Sequence, residues 1–395
     1  MPASASESQA GGRRLRPDRD LRRRILASGG EDLGKCMQCA TCSAVCELAD
    51  GRNPGPRKEM LWAQWGLRER LMGDGDLWLC HQCGDCTLRC PRGARPGDVM
   101  AALRRECIVH YATPRVFGRW ANHPAGLLGA VMVAALVLVG AAAAWAWSAA
   151  AVAELSSLDP RAVLPFWTRL PHGLLASIFL SLVAFDGLVL VRGGRRFWRD
   201  LEAASAAWAR PPTERRSGSP IRAALGRILW HDDFGACLNN QVRHTHHLLV
   251  VYGMLALWLT SLWVVTARWN PLLDGLVYPL SFWNPWKIMA NAGGLAVALG
   301  STLMLAERWR RPKTAGVGTY SDFALLGLLL VITLTGFAAE LLHLVRIEPL
   351  RYFVYALHLI SVFALLLMLP YSKLAHVVYR TLALVHAERI ERGRR

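Results

Sequence analysis

The chain has 395 residues, of which 53% are hydrophobic and 19% charged, and its formal net charge is +17. A soluble protein this basic is polar throughout and binds nucleic acid. Here the apolar and basic residues fall in separate blocks, which argues against a nucleic-acid partner and for a membrane protein with basic loops.

In chain order, residues 1–28 are polar and arginine-rich ("GGRRLRPDRDLRRR") and are expected to form a disordered basic N-terminus. The Arg13-Arg14 pair is not followed by an apolar segment, so no export signal is expected. Residues 29–116 carry two cysteine runs. "KCMQCATCSAVC" holds Cys36, Cys39, Cys42 and Cys46, and "LCHQCGDCTLRCP" holds Cys80, Cys83, Cys86 and Cys90. Disulfides need an oxidising compartment and wider loops, and zinc is gripped from two separated knuckles. The C-x2-C-x2-C-x3-C run is instead the bacterial 4Fe–4S pattern, in which the fourth cysteine of each run ligates the other cluster. One cluster is therefore expected on Cys36, Cys39, Cys42 and Cys90, and the other on Cys80, Cys83, Cys86 and Cys46. The first run ends on Glu47 where the second has Pro91, a departure that removes no ligand.

The 33 residues between the runs have helical apolar spacing, opened by Gly55-Pro56 and closed by Gly73-Asp74-Gly75. That favours an α-helical two-cluster domain over a ferredoxin built on β-hairpins. Cys107 and Cys237 stand alone and read as free structural thiols. His81, between cluster cysteines, reads as a surface residue.

Residues 117–395 contain six apolar stretches, at about 125–152, 172–192, 247–266, 287–306, 323–345 and 352–379. Each is long enough for a ~30 Å hydrocarbon core. The fold class expected is all-α, a two-cluster ferredoxin domain followed by a six-helix transmembrane bundle. Segment 192–243 carries ten arginines, 307–322 four Lys+Arg and the tail from Lys373 six, whereas 153–171, 267–287 and 344–351 carry two each. By the positive-inside rule the clusters and both termini face the cytoplasm from the inner membrane. Trp167, Trp269, Trp283 and Trp286 then form an outer aromatic belt, and the basic loops meet anionic lipid.

Clusters beside a membrane bundle pass electrons into it, and a b-type haem takes two opposed histidines. His358 and His376 are eighteen residues apart, five turns and ~27 Å on one straight helix, so they share a face but serve two different haems. Matching depth pairs His172 with His358 near the outer surface and His247 with His376 near the inner one. His244 and His246 are alternatives to His247, and His343 is an alternative to His172. A quinone site needs an ionisable group near a haem. The candidates are Glu340 and His343, three residues apart on one helix face, with Asp186 reading as an ion-pair partner of Arg192.

Residues 29–115 resemble the C subunit of the quinone-modifying (quinone-interacting membrane-bound) oxidoreductases, QmoC. The stretches that carry the likeness are "GGEDLGKCMQCATCSAVC", "PRKEMLWAQWGL", "WLCHQCGDCTLRCPRGARPGDVMAALR" and, further on, "GGRRFWRDL". "HLISVFALLLMLPYSKLAHVVY" is similar to the last haem-binding helix of the nitrate reductase gamma subunit. The two halves together resemble a fusion of the heterodisulfide reductase C and E subunits, HdrC and HdrE. The resemblance implies a cytochrome b domain and QmoA-like and QmoB-like flavin and iron–sulfur partners. Beyond them it implies adenylylsulfate reductase in dissimilatory sulfur metabolism.

The function expected is that of a quinone-reactive electron-transfer subunit, not a stand-alone catalyst. Two 4Fe–4S clusters and two b haems link cytoplasmic partners to menaquinone or ubiquinone. The alternative is a heterodisulfide reductase-like CE subunit of another respiratory complex. Catalysis by the chain itself lacks support, because no Cys-Cys pair for a disulfide-cleaving centre and no strand-borne GxGxxG are present.

Overall fold

The computed structural model describes residues 16–49, 54–147, 172–206, 219–230, 241–268, 280–310, 318–348 and 350–390. Among them every regular element is helical and no strand occurs, as the sequence predicts.

The cysteine-bearing region is built from eight short helices: α1 (Arg19–Ala27), α2 (Thr41–Ala44), α3 (Arg57–Gln64), α4 (Arg68–Met72), α5 (Asp76–Leu79), α6 (Asp85–Leu88), α7 (Pro96–Tyr111) and α8 (Arg115–Ala121). The disorder expected over 1–28 does not extend to residues 16–28. Asp18 caps α1 by accepting from Leu21 N at 2.8 Å. Leu21 and Ile25, one turn apart among the arginines, are fully buried, and Arg24 pairs with Glu106 at 2.8 Å. Apolar burial on one stripe outweighs the polar composition of the segment. The expected helix between the runs is two helices. Gly66 breaks it at φ +64, where a Cβ would lie 2.5 Å from the Asp18 carbonyl oxygen, so α3 and α4 meet at a corner only glycine can make.

Six further helices are long and apolar enough to cross a membrane: Gly126–Trp145, Gly173–Ser205, Arg243–Ala267, Pro285–Arg310, Tyr320–Val345 and Leu350–Tyr371. They lie in α9 (Gly126–Ala146), α10 (His172–Ala206), α12 (Gln241–Arg268), α13 (Pro285–Arg310), α14 (Tyr320–Val345) and α15 (Leu350–Met368), with α11 (Pro220–Trp230) and α16 (His376–Arg389) beside them. α12 packs on α13, α13 on α14, α14 on α15, and α15 on α9 and α10. A Cβ at Gly253 would lie 2.6 Å from Gly293 O, and one at Gly300 would lie 2.9 Å from His246 O. α12 and α13 thus meet backbone to backbone.

The sixth span departs from expectation. The stretch 352–379 is not one helix: α15 ends at Met368, short 3-10 turns follow at Leu369–Tyr371 and Lys373–Ala375, and α16 starts at His376. Pro370 lacks the N–H for the helical ladder and its ring collides with the carbonyl one turn back. The argument that His358 and His376 share one face of a straight helix therefore fails.

The two halves share a core. Trp78, Leu77, Leu103, Cys107 and Tyr111 of the cysteine region pack with Phe197 and Leu201 of α10 and with Ala375, Tyr379 and Ala383. Trp78 stacks on Tyr379 at 5.1 Å, and the Tyr111 hydroxyl donates to Asp200 Oδ2 at 2.8 Å. A polar latch lies alongside. Asp322 at the start of α14 meets Lys373, Arg308 (3.4 Å) and Arg105 of α7 (3.9 Å). Arg105 also donates to Thr319 Oγ1 at 3.0 Å.

Candidate functional site

The two cysteine loops repeat one backbone design. Gln38 and Ala40 in the first, and Gln82 and Gly84 in the second, all have positive φ, at 59, 69, 53 and 90 degrees. Two positive-φ residues spaced two apart bend each loop, and a one-turn helix, α2 or α6, follows. Such bends turn successive N–H groups inward and suit an anionic group.

The loops are cups that open on two cavities. One is lined by Cys36, Cys39, Cys42 and Cys90, the other by Cys46, Cys80, Cys83 and Cys86. The structure thus brings together the two sets that the crossed spacing predicts, with Cys46 and Cys90 each in the other run's cavity. Glu47 lines the second cavity. Cys107 is a buried free thiol, and Cys237 lies outside the described residues.

Cys42, Cys46 and Cys86 are poorly placed to ionise unaided. Burial pushes Cys46 up to about 11, with Cys80 and Cys83 adding repulsion, and burial followed by the neighbouring Cys80 and Cys83 raises Cys86 as well. Cys42 rises through burial and the proximity of Cys36. Exposed Cys39 moves down, led by the Thr41 hydroxyl 3.4 Å away. Four crowded thiolates need a cationic centre among them. Hydrogen bonds to sulfur fit the same group: Ala94 N donates to Cys90 Sγ at 3.3 Å and Gln38 Nε2 to Cys36 Sγ at 3.4 Å. The cavities therefore fit two iron–sulfur clusters.

The histidines are less closely drawn together. His358 on α15 faces α14, with Nδ1 3.0 Å from Ile332 O and 3.2 Å from Thr335 Oγ1. Gly336 leaves room for its ring, since a Cβ there would be 3.2 Å from Cε1. His376 holds Lys373 O through Nδ1 at 2.5 Å, and burial lowers its pKa to about 4. Each ring thereby has Nδ1 as donor to a carbonyl, which leaves Nε2 as the nitrogen that would ligate a metal. His246 contacts Glu307 at 3.3 Å, and His244 and His247 are half-buried beside it. His172 opens α10, its side chain outside the described residues. His343 is exposed.

Glu340 is already engaged, by Lys287 at 2.9 Å and by Asn291 Nδ2 at 3.3 Å. The expected Asp186–Arg192 pair is not formed. Both Asp186 carboxylate oxygens are buried with no hydrogen-bond partner among the described residues. Sequence reasoning also missed the arginines that clasp the second cup. Arg104 donates to Cys80 O (3.3 Å), Arg243 to Gln82 O (3.1 Å) and Arg380 to Trp78 O (2.8 Å). They lie far apart in the chain, so no local signal marks them. The shared Gln of "CMQC" and "CHQC" is the one local hint.

Residues 32–94 match the 4Fe-4S dicluster domain family, and residues 122–395 match the family described as citrate utilization protein B. The chain belongs to the citrate utilization protein B family. The Escherichia coli citrate utilization protein B is 26% identical over 78% of this chain and 80% of its own length. The first domain alone is also similar to the C subunits of heterodisulfide reductases. That of the H(2):CoB-CoM heterodisulfide,ferredoxin reductase of Methanothermobacter marburgensis is 34% identical over 22% of this chain and 48% of its own length. A protein of Archaeoglobus profundus, described as like the C subunits of heterodisulfide reductase, is 39% identical over 22% and 47%. The chain thus spans about half the length of these reductase relatives. No solved structure matches. Together the findings give an iron–sulfur electron-transfer domain followed by six apolar helices compatible with a multi-pass membrane protein.

Proposed function

We propose that this protein is a membrane electron-transfer subunit that links soluble flavin and iron–sulfur partners to the quinone pool. The observation that carries the reading is the division of eight cysteines between two cavities beside one end of a six-helix bundle. In this reading Cys36, Cys39, Cys42 and Cys90 hold one 4Fe–4S cluster and Cys46, Cys80, Cys83 and Cys86 the other. His358 and His376 hold two b haems, with His172 and His247 as their respective partners. Clusters and haems supply one-electron carriers, and menaquinone or ubiquinone is the two-electron substrate. The chain's own residues crowd the thiols, fix histidine tautomers and exclude water from the shared core. The cluster end faces the cytoplasm from the inner membrane, as the excess of basic residues in segments 192–243 and 307–322 favours.

The partners follow from two likenesses. The resemblance to quinone-modifying oxidoreductases favours QmoA-like and QmoB-like subunits and adenylylsulfate reductase. The match to the citrate utilization family, by its model over residues 122–395 and by a relative over 78% of this chain, favours instead a redox partner in carboxylic-acid utilization. Co-purification from the native membrane separates them.

The test is the full-length protein in detergent. Iron at about ten and acid-labile sulfide at about eight per chain, two reduced-cluster resonances and a b-haem spectrum are expected, together with reduction of a soluble quinone. Zinc without sulfide would overturn the cluster reading. Clusters without haem would confine the protein to iron–sulfur transfer.

A further inference from the structure

The two cups are alike in backbone but are clasped by different chemistry. In the first, Cys36 O accepts from the neutral Gln64 amide at 2.9 Å, and Gln38 Nε2 reaches Gln64 Oε1 at 3.4 Å. These groups belong to the same domain, and the cup opens outward at exposed Cys39 and Met37. In the second, the carbonyl of Cys80 accepts from the guanidinium of Arg104, whose other nitrogen reaches Gln82 Oε1 at 3.0 Å. Two more guanidiniums arrive from the membrane half, Arg243 of α12 at Gln82 O and Arg380 of α16 at Trp78 O. Arg380 also lies 3.3 Å from His81 Nδ1. The charged residues lining the two cavities differ in sign. Arg57 and Arg92 line the first, and Glu47, Glu59, Asp76 and Asp85 line the second, with Asp76 paired to Lys58.

Arg380 has one further property. It stands four residues after His376 on α16, one turn along the same helix face. One side chain therefore touches the wall of the second cavity while its own helix presents His376.

We infer that the cluster of Cys46, Cys80, Cys83 and Cys86 is the one that exchanges electrons with the membrane half, and that Arg380 is the positioning residue of that junction, fixing residues 78–81 against α16 and setting that cluster's reduction potential. This rests on the cluster reading proposed above. Each transfer oxidises the donor centre by one electron and reduces the acceptor centre by one, and no bond or proton changes at Arg380. Reduction adds one negative charge to the cluster, so a fixed cation held close in a poorly solvated wall favours the reduced form. The backbone clasp of the first cup is the neutral Gln64 amide, so any cationic bias there comes from Arg57 and Arg92 of its lining and not from the membrane half.

The experiment is a potentiometric titration of the full-length protein in detergent, followed by electron paramagnetic resonance. Arg380→Gln keeps a donor and removes the charge. It is expected to shift one cluster to lower potential, on the order of tenfold in its reduced-to-oxidised ratio at fixed potential, and to leave the other unmoved. Arg380→Lys is expected to restore most of the shift. Cys83→Ser, which alters the second cluster, identifies its signal. Arg243→Gln is expected to move the same signal and serves as the second variant if Arg380→Gln does not fold. A shift in neither signal, or in the signal that survives Cys83→Ser, overturns the inference while both clusters remain. Absence of cluster signals from the unmodified protein overturns the cluster reading itself.

Discussion

The cysteine half and the membrane half are held together by opposite means. The first buries large side chains at its seam: Trp78 and Tyr111 meet Phe197 and Tyr379 of the membrane half ring to ring, with centroids 5.1–6.1 Å apart. The second leaves Leu128, Leu136, Leu262 and Leu334 exposed and brings α12 against α13 through Gly253, Gly293 and Gly300. Water drives the first kind of packing. In lipid, exposed leucine costs nothing, and close backbone approach supplies the contact instead. One chain thus uses two solvents as its packing references.

The comparison is broken most severely at Trp78. Trp78→Ala removes the ring stacked on Tyr379 from a closed core and is expected to cost about 3–5 kcal/mol. Faster proteolysis of the cysteine half and loss of iron from the purified protein would register it, with the spans still inserted. If the cysteine half stays as resistant as before, the shared core is not what joins the halves. Gly253→Ile attacks the other side. Its side chain meets Gly293 O and Val297, and overpacking of this kind costs about 1–3 kcal/mol. A lower melting temperature in detergent with the iron content unchanged is expected, so the two substitutions should separate the halves cleanly.

The smallest effect is a pH dependence confined to the junction. Burial, then repulsion from Arg68, Arg115 and Arg196, lowers the His110 pKa to about 4 from a usual 6.5. Between those values the folded chain binds fewer protons than the unfolded one, so this contribution is complete above pH 6.5 and is lost as the pH falls towards 4. His110→Gln is expected to flatten that part of a stability–pH curve by up to one proton's worth of slope. An unchanged slope would mean that His110 is charged in the fold.

The sequence made the helical class, the number of spans and the crossed cysteine sets legible because all three rest on local spacing. It misled wherever the deciding partner is distant. Residues 16–28 look like a solvated arginine tail until Glu106 and the core behind Leu21 are known. Glu340 looks like a free acid until Lys287 comes across from α13. The stretch 352–379 reads as one helix because apolar count outweighs a single Pro370, although the proline decides where the chain turns. The clasp of Arg104, Arg243 and Arg380 had no signature at all, since each arginine belongs to a different helix and each target is a backbone carbonyl.

The shared core has a consequence for biosynthesis. The cysteine loops leave the ribosome before any candidate span, yet the core behind them includes Phe197 and Leu201 of the second span and Tyr379 and Ala383, which follow all six. An N-terminal domain ordinarily folds as soon as it emerges. This one completes its core only when α16 returns to the same end of the bundle. A chain stalled before Tyr379 therefore leaves the face of Trp78 uncovered at the seam between the halves.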